Sequence, residues 1–219
     1  MRLLIFGASG ATGRQLVAQA LDLDHEVTAF IRDASRLVGR SRKFRSVVGN
    51  VMDAASVESA VPGHDAVLIA LGTMPEQPQD RNRRQPREPV CSLGTRHIVT
   101  SMVRHSVDRL IVETSLAVGS SRADARFGAA AMVRWALRDV MNDKERQEAI
   151  VRDSDLDWTI VRPARLTNGP RTFKIQAGES LPWSVLSRIS RADVAAFMLG
   201  VLANASMFRK TLSLIEKSR

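Results

Sequence analysis

Short apolar runs alternate with longer amphipathic segments along most of this chain. Strand-like runs are predicted at 3–6, 25–31, 44–48, 65–71, 108–113 and 157–161. Helical periodicity is predicted from about Thr12 onward and at 54–61, 89–105, 123–153 and 191–202, with a break near 142–143. The alternation predicts an α/β fold, in which 1–219 forms a single doubly wound Rossmann domain with a mostly parallel sheet.

The pattern is less regular toward the carboxyl-terminal end. Residues 168–183 carry several glycines and prolines, which predicts a long loop or an irregular hairpin, and 211–215 is a possible edge strand. Asp143 is predicted to cap a helix that begins at Lys144, and Asp193 is predicted to cap the last helix.

Three glycines follow the first strand-like run and open the first predicted helix. A side chain at Gly7 would obstruct a tight turn, one at Gly10 would block close approach of a pyrophosphate, and one at Gly13 would push the helix off the sheet. The helix tip would then present its N–H groups to the phosphates. The structural alternative is a glycine turn that merely ends a strand. The dinucleotide interpretation assigns cofactor contacts to Gly7, Ser9, Gly10, Ala11, Thr12 and Gly13.

The residue at the end of the second predicted strand decides which dinucleotide is expected. An acidic residue there would hydrogen-bond the ribose 2′-hydroxyl of NAD, whereas this chain has Arg32, which suits the 2′-phosphate of NADP. Arg14 and Arg36 are candidate helpers. Asp33 is predicted to cap the next short helix rather than to contact ribose. The predicted cofactor is therefore NADP(H).

Further cofactor contacts are predicted where the third and fourth strands end, because open α/β sheets bind ligands at the carboxyl ends of their strands. Asn50 and Val51 would flank the adenine. After the fourth strand, the backbone would pass close to the cofactor at Ala70, Leu71, Gly72 and Thr73.

Composition limits the expected location and the kinds of site. The chain has 219 residues, of which 44% are hydrophobic, and this suffices for one sizeable core. No apolar run approaches the ~20 residues that span a bilayer, and the beginning of the chain lacks the features of a signal peptide, so we expect a cytoplasmic protein with no membrane partner. The single cysteine, Cys91, is expected to be a small core residue rather than a reactive thiol. His64, His97 and His105 show no metal-ligand spacing and are predicted to be surface or helix histidines, so no metal is expected.

The formal net charge of +9 raises the question of nucleic acid. The arginines are spread along the chain rather than gathered on one helix or interleaved with aromatic residues, so no nucleic-acid partner is expected. The exception is a loop with Arg81, Arg83, Arg84 and Arg87, for which a solvated loop is favoured over a patch for an anionic ligand or a nucleic acid. Neither the role of this loop nor the oligomeric state follows from the sequence.

Several stretches together resemble the atypical short-chain dehydrogenase/reductases, in their NAD(P)H-binding, NmrA-like branch. Within that family the resemblance is to the flavin reductase pattern, also known as biliverdin-IXβ reductase, and it extends over nearly the whole chain. The stretches lie at 7–13, 30–36, 92–96, 114–115, 157–163 and 189–194.

The resemblance implies where hydride transfer would take place. Ser115 would lie beside the nicotinamide and the substrate, the alternative being a strand-terminal serine that bonds local backbone. Lys144 stands where the flavin reductase pattern has a histidine, so it is a candidate for ribose or substrate binding, with a solvated helix lysine as the alternative. Backbone groups at Pro163, Ala164 and Arg165 would hold the carboxamide. Arg165 replaces another histidine of that pattern, which argues against biliverdin-type chemistry and leaves an anionic substrate possible.

The chain contains no tyrosine, so the tyrosine and lysine pair with which typical short-chain dehydrogenases protonate a carbonyl oxygen cannot form. Flavins and quinones take their proton from solvent, which predicts an NADPH-dependent reductase of a flat conjugated acceptor. The alternatives are a non-catalytic NADP(H)-sensing regulatory protein and a biosynthetic tailoring reductase or epimerase, in which Ser115 and Lys144 would share acid–base work.

The expected substrate is a small, flat molecule, and an anionic one is possible. Phe127, Met132 and Trp135 could wall such a molecule, with packing in the core as the alternative. Segments 116–140 and 165–188 are the expected substrate cover.

Overall fold

The computed structural model describes residues 1–36, 41–72 and 89–217 of the chain. Strands and helices alternate in these residues as the hydrophobic pattern predicts. The strands are β1 (Arg2–Phe6), β2 (Glu26–Ile31), β3 (Phe44–Val48), β4 (Ala66–Ile69), β5 (Arg109–Glu113), β6 (Asp157–Pro163), β7 (Arg165–Thr167), β8 (Ile175–Gly178), β9 (Arg188–Ser190) and β10 (Lys210–Glu216). The helices are α1 (Ala11–Asp22), α2 (Ala54–Ala60), α3 (Val90–Arg104), α4 (Ala129–Ala136), α5 (Arg138–Arg152) and α6 (Arg191–Gly200). No described helix is long and apolar enough to cross a bilayer.

The central sheet has the order β3-β2-β1-β4-β5-β6-β10-β8 in the described part of the chain. All its pairings are parallel except that of β8, which runs antiparallel to β10. A separate pair is formed by β7 and β9. The predicted α/β fold with a mostly parallel Rossmann sheet is confirmed.

The apolar runs are continuous because the sheet is covered on both faces. In β1, Leu3 and Ile5 point to a core with α1 and α6, whereas Leu4 and Phe6 point to a core with α2, α3 and α5. All four side chains are fully buried. This sandwich directs the carboxyl ends of β1, β2, β4, β5 and β6 to one edge, where the predicted site residues lie.

Two predictions for the carboxyl-terminal part are wrong. The predicted edge strand at 211–215 is β10, which lies inside the sheet between β6 and β8. The predicted loop at 168–183 contains β8, which forms the edge instead. Only Ile175 and Gly178 of β8 are even partly buried, so the strand lacks the apolar signal on which the prediction depended.

The helix break was predicted near 142–143 but lies at Leu137, between α4 and α5. Asp143 therefore sits within α5 and does not cap a helix that starts at Lys144. Its carboxylate accepts hydrogen bonds from the backbone N–H groups of Cys91 (2.9 Å) and Ser92 (2.9 Å) at the start of α3. The aspartate does cap a helix, but the helix is a neighbour whose own sequence provides no side-chain cap.

Asp193 is likewise not the capping residue of its helix. The N-cap of α6 is Ser190, whose hydroxyl accepts from the Asp193 N–H (3.0 Å) and donates to the Asp193 carboxylate (2.7 Å). The same carboxylate accepts from the backbone N–H groups of Thr172 (2.9 Å) and Phe173 (3.1 Å). Asp193 thus fixes the loop before β8 to the start of α6.

Candidate functional site

The glycine turn between β1 and α1 leaves no room for side chains at two of its positions. Gly7 has a φ of +77°, and a Cβ there would lie 2.4 Å from the carbonyl oxygen of Ala70. A Cβ at Gly13 would lie 2.1 Å from the Gly7 carbonyl oxygen. The packing of α1 and of the chain after β4 therefore requires glycine at both positions, whether or not a cofactor binds. Gly10 differs because it is exposed at the helix tip, where its N–H donates to the Gly7 carbonyl (2.9 Å).

The tip of α1 has the features of an anion site. The helix begins at Ala11 after the N-cap Gly10, and no side chain caps it or places an acid in its first turn. Its first N–H groups are therefore left for water or a ligand, and the positive end of the helix dipole favours a phosphate there. Ser9 is partly buried, and its carbonyl accepts from Nε of Arg14 (3.0 Å). The residues present fit the pyrophosphate of a dinucleotide.

Arg32 follows β2 directly and is exposed at the same edge of the sheet. Asp33 is engaged locally, because its carboxylate accepts from the N–H (3.0 Å) and the hydroxyl (2.7 Å) of Ser35. The prediction that Asp33 caps the short helix after β2, a 3₁₀ turn at Ala34–Arg36, is confirmed. An exposed guanidinium is thus available where the ribose of a bound dinucleotide would lie.

The predicted adenine-flanking residues occupy a turn after β3. Asn50 is exposed and accepts from the Met52 N–H (3.1 Å), which fixes the turn. Val51 is buried against α3, where a Cβ on Gly94 would lie 2.7 Å from its Cγ2. The carbonyl of Val51 also accepts from Nδ1 of His97 (3.0 Å). Only Asn50 of the two therefore presents its side chain outward.

The chain after β4 lines the opening beside the glycine turn. Ala70 and Leu71 are partly buried, and Gly72 is exposed with no atom within 4 Å of where its Cβ would lie. Thr73 and the arginine-rich loop with Arg81, Arg83, Arg84 and Arg87 lie outside the described residues. The predictions made for them stay predictions.

Lys144 is buried, so the alternative of a solvated helix lysine is wrong. From α5 its ammonium reaches the ends of two strands, donating to the carbonyls of Leu71 (2.7 Å) and Glu113 (3.0 Å). An ammonium has three N–H donors. Two of them are used on backbone carbonyls, and the Cys91 thiol is a further hydrogen-bond neighbour of the ammonium at the junction of β4 and β5.

Glu113 ends β5 and is a site residue that the sequence analysis missed. Its carboxyl is buried and accepts from the Thr12 hydroxyl (3.1 Å) in the first turn of α1. Burial raises the pKa of Glu113, against the opposing effects of the Lys144 charge and the Thr12 hydrogen bond. Burial thus disfavours a negative charge under the glycine turn, where such a charge would oppose the binding of an anion.

A second buried acid contacts Thr114, the residue that follows Glu113. Glu148 of α5 accepts from Nε (2.8 Å) and Nη2 (2.7 Å) of the fully buried Arg162, and from the Thr114 hydroxyl (2.7 Å). Burial acts to raise the pKa of Glu148, but the Arg162 hydrogen bond and charge outweigh it and lower that pKa. The cluster fixes β6 and α5 to the end of β5.

Ser115 comes directly after this anchored threonine and is partly buried. Its hydroxyl makes no hydrogen bond to the described residues, so the alternative of a serine bonded to local backbone is not what the structure contains. Pro163 and Ala164 are buried, and the Pro163 carbonyl accepts from the Leu116 N–H (3.1 Å). Arg165 is exposed at the start of β7.

The two segments predicted as a cover, 116–140 and 165–188, are joined to each other at Trp183. Its indole N–H donates to the Ser121 carbonyl (2.7 Å). Its backbone N–H donates to the Asp124 carbonyl (3.1 Å), and its carbonyl accepts from the Arg126 N–H (2.8 Å). Segments far apart in sequence therefore form one framework beside the carboxyl ends of β5 and β6.

Phe127, Met132 and Trp135 are exposed by 95%, 53% and 86%. The alternative that they pack in the core is therefore wrong. The buried face of α4 consists of small residues, with Ala129 in the core and Ala130 and Val133 packed against it. Met132 and Trp135 lie on the outer face of α4, and Phe127 is exposed just before the helix begins.

The remaining polar candidates have structural explanations. Cys91 is buried, and burial raises the pKa of its thiol, so the prediction of a core cysteine is confirmed. His64 is buried rather than on a surface or in a helix, which corrects that prediction. Within the described ranges, no group of three or more histidine, cysteine, aspartate or glutamate side chains could hold a metal ion.

The acids that sequence reasoning missed carried only a weak signal. Glu113 is an acid at the carboxyl end of an apolar strand, and Arg162 interrupts the apolar run of β6. A charged residue within a strand that is buried on both faces requires a partner. That argument could have singled out Arg162, but not its partner Glu148.

The family model described as NAD(P)H-binding matches residues 7–205. Among curated relatives, an uncharacterized sugar epimerase, YhfK of Bacillus subtilis, is 23% identical over 99% of this chain and 94% of its own length. Among solved structures, the anaerobillin reductase ChuY of Escherichia coli O157:H7 is 25% identical, with a TM-score of 0.80 over 100% of this chain and 98% of that one. A short-chain dehydrogenase/reductase of Veillonella parvula in complex with NADP is 18% identical, with a TM-score of 0.79 over 97% and 93% of the two chains, a likeness of fold.

Proposed function

Because the chain belongs to the NAD(P)H-binding family and is an oxidoreductase of the atypical short-chain dehydrogenase/reductase kind, we propose that it reduces a flat conjugated acceptor, such as a flavin or a quinone, with NADPH. One observation carries the proposal: an uncapped helix tip and the exposed Arg32 stand at the same sheet edge, in a chain with no tyrosine to protonate a carbonyl. The anaerobillin reductase among its structural neighbours supports a reductase.

The cofactor-binding residues fall into three groups in this proposal. The backbone N–H groups at Ala11 and Thr12 bind the pyrophosphate, and Arg32 binds the 2′-phosphate that distinguishes NADP from NAD. Asn50 and Val51 border the adenine. The NADP complex of the Veillonella parvula neighbour supports the choice of cofactor.

At the reacting end, backbone groups at Pro163, Ala164 and Arg165 hold the carboxamide. NADPH supplies the hydride when bound. The Ser115 hydroxyl and the Lys144 ammonium orient the acceptor and stabilise negative charge on it, while its proton comes from solvent. Arg165 favours an anionic substrate at the mouth, because its guanidinium is exposed there.

Segments 116–140 and 165–188 act as the substrate cover, and Phe127, Met132 and Trp135 are the apolar side chains that a flat ring system would contact. Their exposure supports this role, because large apolar side chains on an outer face mark a binding surface. Their removal would leave the core intact.

Steady-state oxidation of NADPH with FMN, riboflavin and a quinone tests the proposal. We expect turnover with at least one of them and a lower rate with NADH at equal concentration. No turnover with any acceptor, although NADPH binds, would favour the sensor hypothesis, in which the chain binds NADP(H) without chemistry.

The second candidate is a tailoring reductase or epimerase, which the name of the Bacillus subtilis relative favours. In that reaction Ser115 and Lys144 act as general acid and base. Ser115→Ala would therefore lower kcat by about 10²–10⁴-fold, the loss typical of removing one proton-transfer group. In the flavin or quinone reductase, the same variant changes mainly KM. Comparing the two kinetic constants separates these hypotheses.

A further inference from the structure

A cavity of about 530 Å³ lies at the amino ends of β1, β2 and β3. It is at the opposite end of these parallel strands from the glycine turn. Of its described lining residues, only Glu26 is acidic, whereas four are cationic: Arg2, Arg42, Lys43 and Arg45. The cofactor proposal does not involve any of them.

Arg45 is held at this cavity by neutral groups only. Its Nε donates to the Thr28 hydroxyl oxygen (2.8 Å), and that oxygen lies 2.8 Å from Nε2 of His64. Nδ1 of His64 lies 3.0 Å from the Val61 carbonyl, which can only accept, so Nδ1 carries the proton and Nε2 accepts from Thr28. Burial lowers the pKa of His64, as do the charges of Arg45 and Arg2, against the opposing effects of the Val61 hydrogen bond and the Asp65 charge.

The other charged groups at the cavity do not neutralise Arg45. Arg2 is paired with Asp65 (2.7 Å) and Lys43 with Asp24 (2.6 Å). Glu26 acts electrostatically on Arg2. Neither Arg42 nor Arg45 has a carboxylate partner among the described residues, so two guanidinium groups at one cavity lack counter-charges.

Guanidinium groups of this kind match the oxygens of a phosphate. The fork of Arg45 is already oriented by Thr28 and His64, so little side-chain freedom is lost when its remaining donors bind an anion. The volume lies within the range of about 300–1,000 Å³ for small-molecule sites and exceeds what a bare phosphate requires. Phe44 and Pro62 provide apolar lining for an attached organic group.

We propose that this cavity is a second binding site, separate from the cofactor cleft, for a small ligand that carries a phosphate monoester. Arg45 and Arg42 bind the phosphate, while Thr28 and His64 position Arg45.

Calorimetric titration with phenyl phosphate and with inorganic phosphate tests the site in protein that is saturated with NADP⁺, so that the phosphate positions of the cofactor cleft are filled. We expect saturable binding of phenyl phosphate and weaker binding of inorganic phosphate. Arg45→Met and the exposed Arg42→Met should each weaken phenyl phosphate binding about tenfold, the loss of one charge-assisted contact. Arg209→Met, just before β10 and outside both the cavity lining and the substrate cover, is the matched control and should change the affinity less than twofold.

Three outcomes would overturn the proposal: no saturable binding of phenyl phosphate, equal affinity for inorganic phosphate, or an equal loss in Arg209→Met, which would indicate attraction to the overall positive charge. Because Arg42 is exposed, its variant keeps the test informative even where Arg45→Met fails to fold. The titration is repeated without NADP⁺. Saturable binding of phenyl phosphate at the cavity should persist there, because the proposed site is separate from the cofactor cleft.

Discussion

Glu113 and Glu148 are both buried acids at the same edge of the sheet, yet their environments differ. Glu148 receives two hydrogen bonds from the Arg162 guanidinium and one from Thr114, and its pKa is lowered. Glu113 accepts one hydrogen bond, from the Thr12 hydroxyl, and its pKa is raised. The nearby Lys144 donates its hydrogen bonds to the carbonyls of Leu71 and Glu113 rather than to the Glu113 carboxyl. The comparison separates a charged pair that holds the fold from a carboxyl whose charged form is disfavoured by burial beneath a helix tip.

The comparison predicts its largest effect for Glu148→Gln. The variant leaves the buried Arg162 charge without its counter-charge, which should cost about 3–5 kcal/mol in the free energy of unfolding. Chemical denaturation measures the loss. The matched control is Arg152→Met, which removes the partly exposed partner of the same carboxylate (2.6 Å) and should cost about 1 kcal/mol or less. Equal losses in the two variants would contradict a special role for Arg162.

Arg32→Asp tests the proposal that the phosphates of the cofactor bind to the tip of α1 and to Arg32, and that Glu113 takes no part in binding them. Losing the charge-assisted bonds to the 2′-phosphate should weaken NADPH binding by about 1.5–3 kcal/mol, while NADH binding is spared. Fluorescence titration with both cofactors measures the difference. Equal affinity of the unmodified protein for NADH and NADPH would mean that Arg32 does not read the 2′-phosphate.

Thr12→Val removes the hydrogen bond that joins the glycine turn to Glu113. We expect a loss of about 1 kcal/mol in stability, with weaker NADPH binding, because the buried carboxyl loses its donor. Thr12→Ser retains the hydroxyl and should behave like the unmodified protein. The hydrogen bond would be irrelevant if serine and valine proved equivalent in a thermal and binding assay.

The smallest effect at neutral pH is expected for Glu113→Gln, within about 1 kcal/mol, because the glutamine amide oxygen can still accept from the Thr12 hydroxyl. The pH dependence should distinguish the two acids. A raised folded-state pKa means that the folded state binds more protons, so stability falls as pH rises through the ordinary carboxyl range toward that pKa, and the glutamine variant escapes this fall. The lowered pKa of Glu148 has the opposite sign: its contribution is present above the ordinary range and is lost as pH falls through the folded-state pKa. Denaturation midpoints across pH measure both trends.

Much of the fold could be predicted because it depends on local pattern. The strands β1 to β6 are apolar runs that end in glycine or polar turns, and α1 and α3 carry apolar stripes. The position of β10 inside the sheet depends on a long-range pairing with β6, which no local pattern encodes. The edge strand β8 is largely exposed and has no apolar signature.

The candidate site divides in the same way. The glycine turn and Arg32 are adjacent to a predicted strand end, so their placement follows from chain order. The contacts of Lys144 with Leu71 and Glu113 cross 73 and 31 residues, and those of Asp143 with the start of α3 cross about as many, so they require the assembled fold. Periodicity also could not show that Trp135 faces outward, because its helix packs on alanines rather than on its large side chains.

The junction at Trp183 has a consequence for how such a protein can change over evolutionary time. Main-chain hydrogen bonds of Trp183 with Asp124 and Arg126 join segments 116–140 and 165–188. These bonds do not depend on the identity of neighbouring side chains. Residues such as Phe127 and Trp135 can therefore be exchanged without opening this seam. Under the proposed function, this framework would let point substitutions change the acceptor while the residues that bind NADPH stay as they are.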